Sequence, residues 1–561
     1  MGGGISINDV DYIVFYEDSL LKFDRLITMS HLTSNKAGGA NLFIKSMPKW
    51  LTQNIWINRV IAKELGRKDF HVLNCEHHVS HAASAFYPSP YDEAAILTID
   101  GVGEWATSTC GIGKGNSITI LEESKYPNSL GILYSAFTFY TGFRINFGEY
   151  KLMGLAPYGR PLYSDLIKQK LIHIHDDGTI VLNQKYFDYT HSLHTINSKF
   201  EELFGGPARK PESPITQHEM DIAASIQDVT NEIVLKMAQY VRKKTGMKNL
   251  CLAGGVALNV VTMGYIEKYS GFDSIWIQPA SGDAGGSLGA ALYWWHDVLK
   301  NPRKADKNDS MQGSFLGPEI KPSDENDDAV LKRMNAKWKV CDENELVNKI
   351  AELLAKNYVV GVARGRMEWG PRALGDRSIL GAATDPEMQA RLNLKIKFRE
   401  SFRPFAPMVL AEDADKYFDI NTESPYMLKT VYVKEDRRLP FDRDKATISE
   451  IINQPRSDVP AITHLDYSAR VQTVDEGRNK FMHEVIKRYK DLTGCSVIVN
   501  TSFNVRGEPI VCTAEDAYRC FMATDMDYVV IGSRLFDKKE QDNQAFDEKS
   551  RKEWLRRFSL D

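Results

Sequence analysis

The sequence predicts an α/β protein made of two unequal α/β domains, and three observations carry that prediction. At 561 residues the chain is several times the ~100–200 residues of an ordinary domain. Short β-type runs alternate with helical runs, and two of those strands lead through glycine turns into helices, as doubly wound folds do. A polar, acidic, Pro- and Gly-containing stretch near residues 301–328 then breaks the apolar periodicity, as a boundary between domains would. The expected division is a first domain over 1–305, a linker over 306–335, a second domain over 336–543 and a charged tail over 544–561.

The elements follow in chain order. "AAILTI" at 94–99 and "NSITIL" at 116–121 read as a hairpin around a glycine-rich turn, the first strand ending in "DGVGE". Residues 217–245 hold helical apolar spacing without a breaker and predict one long helix. "NLCLAGGVALN" and "SIWIQPASGDAGGSLGAALYWW" each read as strand, glycine turn and helix, the place where α/β proteins seat ligand phosphates. "ELVNKIAELLAKN" predicts a helix and "YVVGVARG" a buried strand, opening the second domain. The end, "DEKSRKEWLRRFSLD", reads as a charged surface helix or loose tail.

Composition narrows the class. Apolar residues at 43% and charged residues at 26% are ordinary globular values, and no run approaches the ~18 apolar residues that span a bilayer. The N-terminus has neither a basic head nor an apolar stretch, so no secretion signal is expected. Seven cysteines are scattered without a C-x-x-C pair, which fits a reducing cytoplasm better than a disulfide or zinc framework. A formal net charge of -4 gives no electrostatic reason to expect a nucleic-acid partner, and no membrane association is expected.

Three constellations carry chemistry. In "CEHHVSHAASAFY", a helix from His77 puts His77 and His81 on one face, while His78 turns away by about 100 degrees. Taken alone, the pair reads more readily as two half-buried core histidines than as metal ligands. Asp100 in "LTIDGVGE" and Asp283 in "ASGDAGGSLG" sit on glycine turns facing a ligand crevice, and two imidazoles with two carboxylates would suit iron, manganese or zinc rather than calcium. The runs "AGGVALN" and "SGDAGGSLGAAL" let backbone approach a nucleotide closely. Neither is a P-loop, and tight helix–sheet packing would explain either alone. Finally, "RGRMEWGPRALGDRSIL" and "NLKIKFRESFRPFAP" interleave cations with Trp, Phe and Pro. An extended second stretch would align Lys395, Lys397 and Arg399 in a cationic pocket for a small phosphate or carboxylate. Arg470 and the polar group Asn500, Thr501, Ser502 and Asn504 join it, although an Asx- and Ser-rich turn accounts for the latter too.

Together with "GEYKLMGLAPYG" and "NTSFNVRGEPIV", these motifs resemble, in order and to about residue 540, the O-carbamoyltransferase family of nodulation-factor, cephalosporin and aminoglycoside carbamoyltransferases. The resemblance implies an actin/Hsp70-like N-terminal domain, similar to the tRNA threonylcarbamoyl-transfer protein, and a YrdC-like C-terminal domain. It implies that carbamoyl phosphate and ATP, with Mg(2+), form carbamoyl adenylate in the second domain. The first domain would pass the carbamoyl group to a hydroxyl of a small molecule or saccharide. By residue, Arg372, Lys397, Arg403 and Arg470 would grip phosphates, and Asn500 and Ser502 would orient the carbamoyl group. His77, His81, Asp100 and Asp283 would hold a divalent metal, expected to be Fe(2+). Gly101, Gly103, Gly254, Gly255, Asn259, Gly282 and Gly285 would line the nucleotide. A homodimer is compatible with this picture.

One departure stands out. Relatives of this family carry a further N-terminal segment with the first glycine/aspartate hairpin of the actin-like fold, whereas "MGGGISINDVDYIVFYE" resembles them only after it. The expectation is therefore an N-terminally shortened first domain. Its alternatives are a nucleotide- and metal-binding homologue without turnover, or a tRNA threonylcarbamoyl-transfer-like protein.

Overall fold

In a computed structural model of the chain, residues 5–36, 39–66, 71–400, 402–442, 450–451, 454–542 and 548–558 are described. The chain forms two compact units, Met1–Ser310 and Met311–Asp561.

The first unit opens with β1 (Ile13–Phe15) and helix α1 (Ser19–Leu32), which Asp18 caps by accepting the N–H groups of Leu20 and Leu21. β1 pairs in parallel with β2 (Val72–Asn74), and helix α2 (His77–Phe86) follows at once. A five-stranded sheet comes next. It contains β3 (Glu93–Ile99), β4 (Ala106–Lys114), β5 (Ser117–Lys125), β6 (Asn249–Ala253) and β7 (Ser274–Ile277), in the order β5-β4-β3-β6-β7. The first three form an antiparallel meander, and β3, β6 and β7 run parallel. Central strand β3 is buried from Ala94 to Ile99, which is why "AAILTI" reads as an apolar run rather than an alternation.

The expected hairpin between 94–99 and 116–121 is therefore a three-stranded meander, with β4 lying between the two runs. β4, "ATSTCGIGK", has few large apolar residues, because α2 crosses it closely. A Cβ at Gly113 would fall 2.4 Å from the ring of Phe86. Helix α3 (Leu130–Tyr140), helix α4 (Glu149–Leu155) and the long helix α5 (Gln217–Thr245) lie between β5 and β6. α5 starts at a Thr216/Glu219 capping box and stops at Gly246, whose left-handed φ of 68° is the conformation that glycine favours at a helix end. Its span is the one predicted from the apolar period. Helix α6 (Gly286–Tyr293) packs on α2 so tightly that a Cβ at Gly289 would lie 1.8 Å from the Ser80 carbonyl oxygen.

The second unit begins inside the stretch expected as a linker. Within 306–335, helix α7 (Glu325–Arg333) is capped by Asp324 and buries Leu331 in the unit's core. Asp328 pairs with the buried Arg534 at 2.6 Å. The acidity that broke the apolar period is this helix's first turn, Glu325, Asp327 and Asp328, where carboxylates meet the positive end of the helix dipole.

After β8 (Lys339–Val340) and helix α8 (Glu343–Ala355) come β9 (Val360–Ala363) and β10 (Arg377–Ala382), then helix α9 (Met388–Arg391) and β11 (Ala406–Leu410). β12 (Gln472–Val474), helix α10 (Lys480–Thr493), β13 (Val497–Ser502), helix α11 (Ala514–Ala523), β14 (Tyr528–Ile531) and β15 (Arg534–Asp537) complete the unit. Its mixed sheet has eight strands in the order β8-β15-β14-β9-β10-β13-β11-β12. α9 continues through a wider turn to Lys397, and Phe398 ends it at a φ of 49°. "NLKIK" is thus helical, not extended. Its helical period sends Lys397 into the core and leaves Lys395 exposed. In the charged end, Glu548–Leu555 is a helix whose Trp554 is buried against the core; residues 544–547 and 559–561 lie outside the described residues. Among the described residues no helix is long and apolar enough to cross a membrane.

Candidate metal centre and anion site

The first site grows from the N-terminal turn of α2. His77 and His81, one turn apart, share the face that looks across the C-terminal end of β3, and both are buried. Their Nε2 atoms stand 3.1 Å apart. Asp100, just beyond β3, brings Oδ2 to 3.2 Å from His77 Nε2 and 3.9 Å from His81 Nε2. Its other oxygen is held by the Gly255 N–H at 2.9 Å, so the turn after β6 aims the carboxylate. Asp283, in the turn after β7, places Oδ1 3.6 and 3.8 Å from the same two nitrogens. All four ligating atoms lie within 4.8 Å of one another.

These separations suit one cation. An ion about 2.1 Å from each donor needs neighbouring donors roughly 3.0–3.4 Å apart, and the nitrogen–nitrogen and nearest nitrogen–oxygen distances of 3.1 and 3.2 Å match. Two imidazoles with two carboxylates also have the donor chemistry of a transition-metal site. Burial drives the Asp100 carboxyl upward, but the His77 and His81 imidazoles outweigh it and hold it well below the usual range. Burial likewise opposes charge on His77, and Asp100 and Asp283 overcome that penalty and raise it. His78 turns to the sheet, its Nδ1 2.6 Å from Thr98 Oγ1. Burial, then His81, pushes it down to about 3, so it is neutral and takes no part in the cluster.

Asp100 and Asp283 open into a cleft of about 840 Å³. Gly101, Gly255, Asn259 and Gly282 line it, with Lys22 and Arg25 of α1 and Glu149 of α4. Gly103, Gly254 and Gly285 are not among its lining residues and act through backbone fit. At φ 94° Gly254 turns so close to β3 that a Cβ would sit 2.2 Å from the Ile99 carbonyl oxygen. A Cβ at Gly103 would lie 2.9 Å from that of His77, and one at Gly285 2.3 Å from the Ala280 carbonyl oxygen. Asn259 caps the next helix by accepting the Thr262 N–H and donates to Gln227 at 3.0 Å.

The second site belongs to the other unit. Asn500, on β13, donates to the Ala373 carbonyl at 2.9 Å and to Gln472 Oε1 at 2.8 Å, while its buried Oδ1 takes no hydrogen bond among the described residues. Lys397 Nζ donates to the Ser502 carbonyl, to Ser502 Oγ at 3.2 Å, and to Asn504 O and Oδ1 at 2.9 and 2.8 Å. Burial, and then Arg399, holds its ammonium well below the usual lysine range. Sequestration and then Arg403 depress Arg399 in the same way, with Arg470 adding to it and Glu400 opposing. Lys397, Arg399, Arg403 and Arg470 therefore stand in one another's field, a crowding that an anion relieves. Arg372 is half-buried beside Ala373 in the turn before β10. That turn wraps the buried Glu368, whose Oε1 accepts the N–H groups of Leu374 at 2.7 Å and Asp376 at 3.0 Å.

Several of these residues escape sequence reasoning. Lys22, Arg25, Gln472 and Glu368 gain meaning only from the chain that folds against them. Glu104 stood in the quoted "DGVGE" with no role, and its burial is the missing signal.

Known proteins agree with this architecture. A carbamoyltransferase N-terminus model matches residues 2–292 and a carbamoyltransferase C-terminus model residues 351–538. The chain belongs to the carbamoyltransferase family. Nodulation protein NolNO of Sinorhizobium fredii is 34% identical over 96% of this chain and 73% of its own length. Nodulation protein NolO of Bradyrhizobium diazoefficiens is 36% identical over 82% of this chain and 79% of its own. A Synechocystis protein of unassigned activity, sll1178, is 50% identical over the whole chain and 91% of its own length.

Proposed function

We propose that the protein is an ATP-dependent O-carbamoyltransferase that forms carbamoyl adenylate in its second unit and transfers the carbamoyl group to a hydroxyl of a small molecule or saccharide in its first. The observation that carries this reading is the convergence of His77, His81, Asp100 and Asp283 at a glycine-lined cleft, in a chain whose other unit sets Lys397 against Ser502 and brings Arg399 and Arg403 into the field of Lys397. The strand order β5-β4-β3-β6-β7 supports reading the first unit as actin-like. The second is read as YrdC-like on its motifs.

Carbamate is a poor electrophile because its nitrogen donates into the carbonyl, so activation must supply a leaving group. In the second unit Arg403, Arg470 and Arg372 would hold the carbamoyl phosphate and Mg(2+)-bound ATP phosphates, where guanidinium forks match phosphate geometry. Lys397 would hold Ser502 and Asn504 in place, and Asn500 would orient the carbamoyl group. Water hydrolyses carbamoyl phosphate to carbamate and inorganic phosphate; a carbamate oxygen then attacks the α-phosphorus of ATP, and pyrophosphate leaves with the bonding pair. In the first unit the acceptor hydroxyl oxygen attacks the carbamoyl carbon and releases its proton to solvent, the bond to the adenylate phosphate oxygen breaks, and AMP leaves with the bonding pair.

His77, His81, Asp100 and Asp283 would hold a divalent ion, for which we propose Fe(2+). When bound, it would supply Lewis-acid polarisation of the adenylate and neutralise its phosphate. The Gly255 N–H aims Asp100, and the turns at Gly101, Gly255 and Gly282, which line the cleft, would pack their backbone against the nucleotide. The free cysteines fit a cytoplasmic enzyme.

The test is incubation of the protein with carbamoyl phosphate, ATP, Mg(2+), Fe(2+) and a panel of hydroxylated acceptors. AMP and pyrophosphate should appear in step with a carbamoylated product. Binding of ATP with no pyrophosphate formed would overturn the reading in favour of a homologue without turnover.

A further inference from the structure

Glu104 ends the short turn after β3, and its side chain is only 5% exposed. A buried carboxylate must be held by donors or it does not persist as an anion. Here the donors come from the starts of two helices. Oε1 accepts the His77 N–H at 3.0 Å and the Asp18 N–H at 2.7 Å, and Oε2 lies 3.1 Å from the same His77 nitrogen. His77 is the first residue of α2, so its N–H has no partner within the helix. Asp18 is the residue that caps α1. From α1, Arg25 donates back to the Gly103 carbonyl at 2.8 Å. One carboxylate therefore joins three things: the turn that carries Asp100, the helix start that carries His77, and the helix that supplies Lys22 and Arg25 to the cleft.

We propose that Glu104 is the positioning residue of the candidate metal centre, fixing His77 against Asp100 and thereby setting the affinity for a divalent cation. This rests on reading the four-residue cluster as a metal site. Two physical effects act together. Without an acceptor at its first N–H, the opening turn of α2 frays and His77 Nε2 leaves the 3.1–3.2 Å spacing that it keeps with His81 and Asp100. The anion also sits behind a ligand, where its charge favours a cation in front; partners at this remove typically change metal affinity by about 10–100-fold.

Glu104→Gln is the discriminating variant, because it keeps the shape and one acceptor oxygen while removing the charge. The full chain is titrated with Co(2+), followed by the visible d–d bands, and the unfolding midpoint of the metal-free protein is measured beside it. Wild type should bind one equivalent. Glu104→Gln should bind about 10–100-fold more weakly, with shifted bands and an unchanged metal-free midpoint, and Glu104→Asp should recover part of the affinity. A Gln variant with the wild-type affinity and spectrum would overturn the proposal, as would affinity lost only in proportion to a falling midpoint. Failure of wild type to bind any ion would sink the metal reading and this role with it, whereas binding that ignores residue 104 would sink only the latter.

Discussion

A single buried amide shows how closely chemistry is set at the residue scale. Asn500 spends both N–H donors on the Ala373 carbonyl and Gln472 Oε1, and its buried Oδ1 takes no hydrogen bond among the described residues. Asn500→Asp replaces two attractive contacts by oxygen–oxygen repulsion inside the core. Carbamoyl-phosphate-dependent exchange of pyrophosphate into ATP should fall at least tenfold, and chemical denaturation should register a loss of about 1–3 kcal/mol, the usual penalty for buried groups left unpaired. The neighbouring polar run was visible in the sequence as a cluster. Which member faces the anion site and which is spent on structure was not, because Lys397 reaches Ser502 and Asn504 from more than a hundred residues away.

At the scale of elements, legibility followed the pattern each element carries. α5 was predicted to the residue, since a capping box, a long apolar period and a terminal glycine all agree. β4 was missed because it thins to glycine under Phe86, a tertiary neighbour, and α7 because the acidic first turn that suits its own helix dipole breaks the apolar period. Asp413 joins elements in the same way, fastening the turn before Lys416 to α10 through Lys490 at 2.7 Å. Burial would raise its carboxyl, but Lys416, Lys490 and Ser496 bring it down from 3.8 to about 2. A depressed carboxyl stabilises the fold above its ordinary value and loses that contribution as pH falls through the lowered one; the shift is worth roughly 2 kcal/mol. Asp413→Asn should therefore lower the unfolding midpoint at neutral pH by about 4–8 °C. Calorimetry across the acid range should show the gap from wild type closing as pH approaches 2.

For the whole molecule, the division into two units and two chemically different sites predicts separable defects. His81→Ala should lose divalent-metal binding and carbamoyl transfer while still forming carbamoyl adenylate. Arg403→Ala should lose adenylate formation first and keep its metal. Single-turnover assays of pyrophosphate release and of product formation read the two steps apart; failure of both variants at the same step would contradict the two-site assignment.

The sequence by itself determined the α/β class, the long helix, the glycine turns and the residue types of both sites, because local periodicity and turn chemistry leave their mark in composition and spacing. Its motif order also determined the family. Only the tertiary structure decided that His77, His81, Asp100 and Asp283 meet within one small volume, that residues 311–335 build the second unit rather than link to it, and that Glu104 stands behind the first histidine. Those outcomes depend on which distant backbone N–H groups and carbonyls come within hydrogen-bond reach, and no short-range pattern encodes that distance.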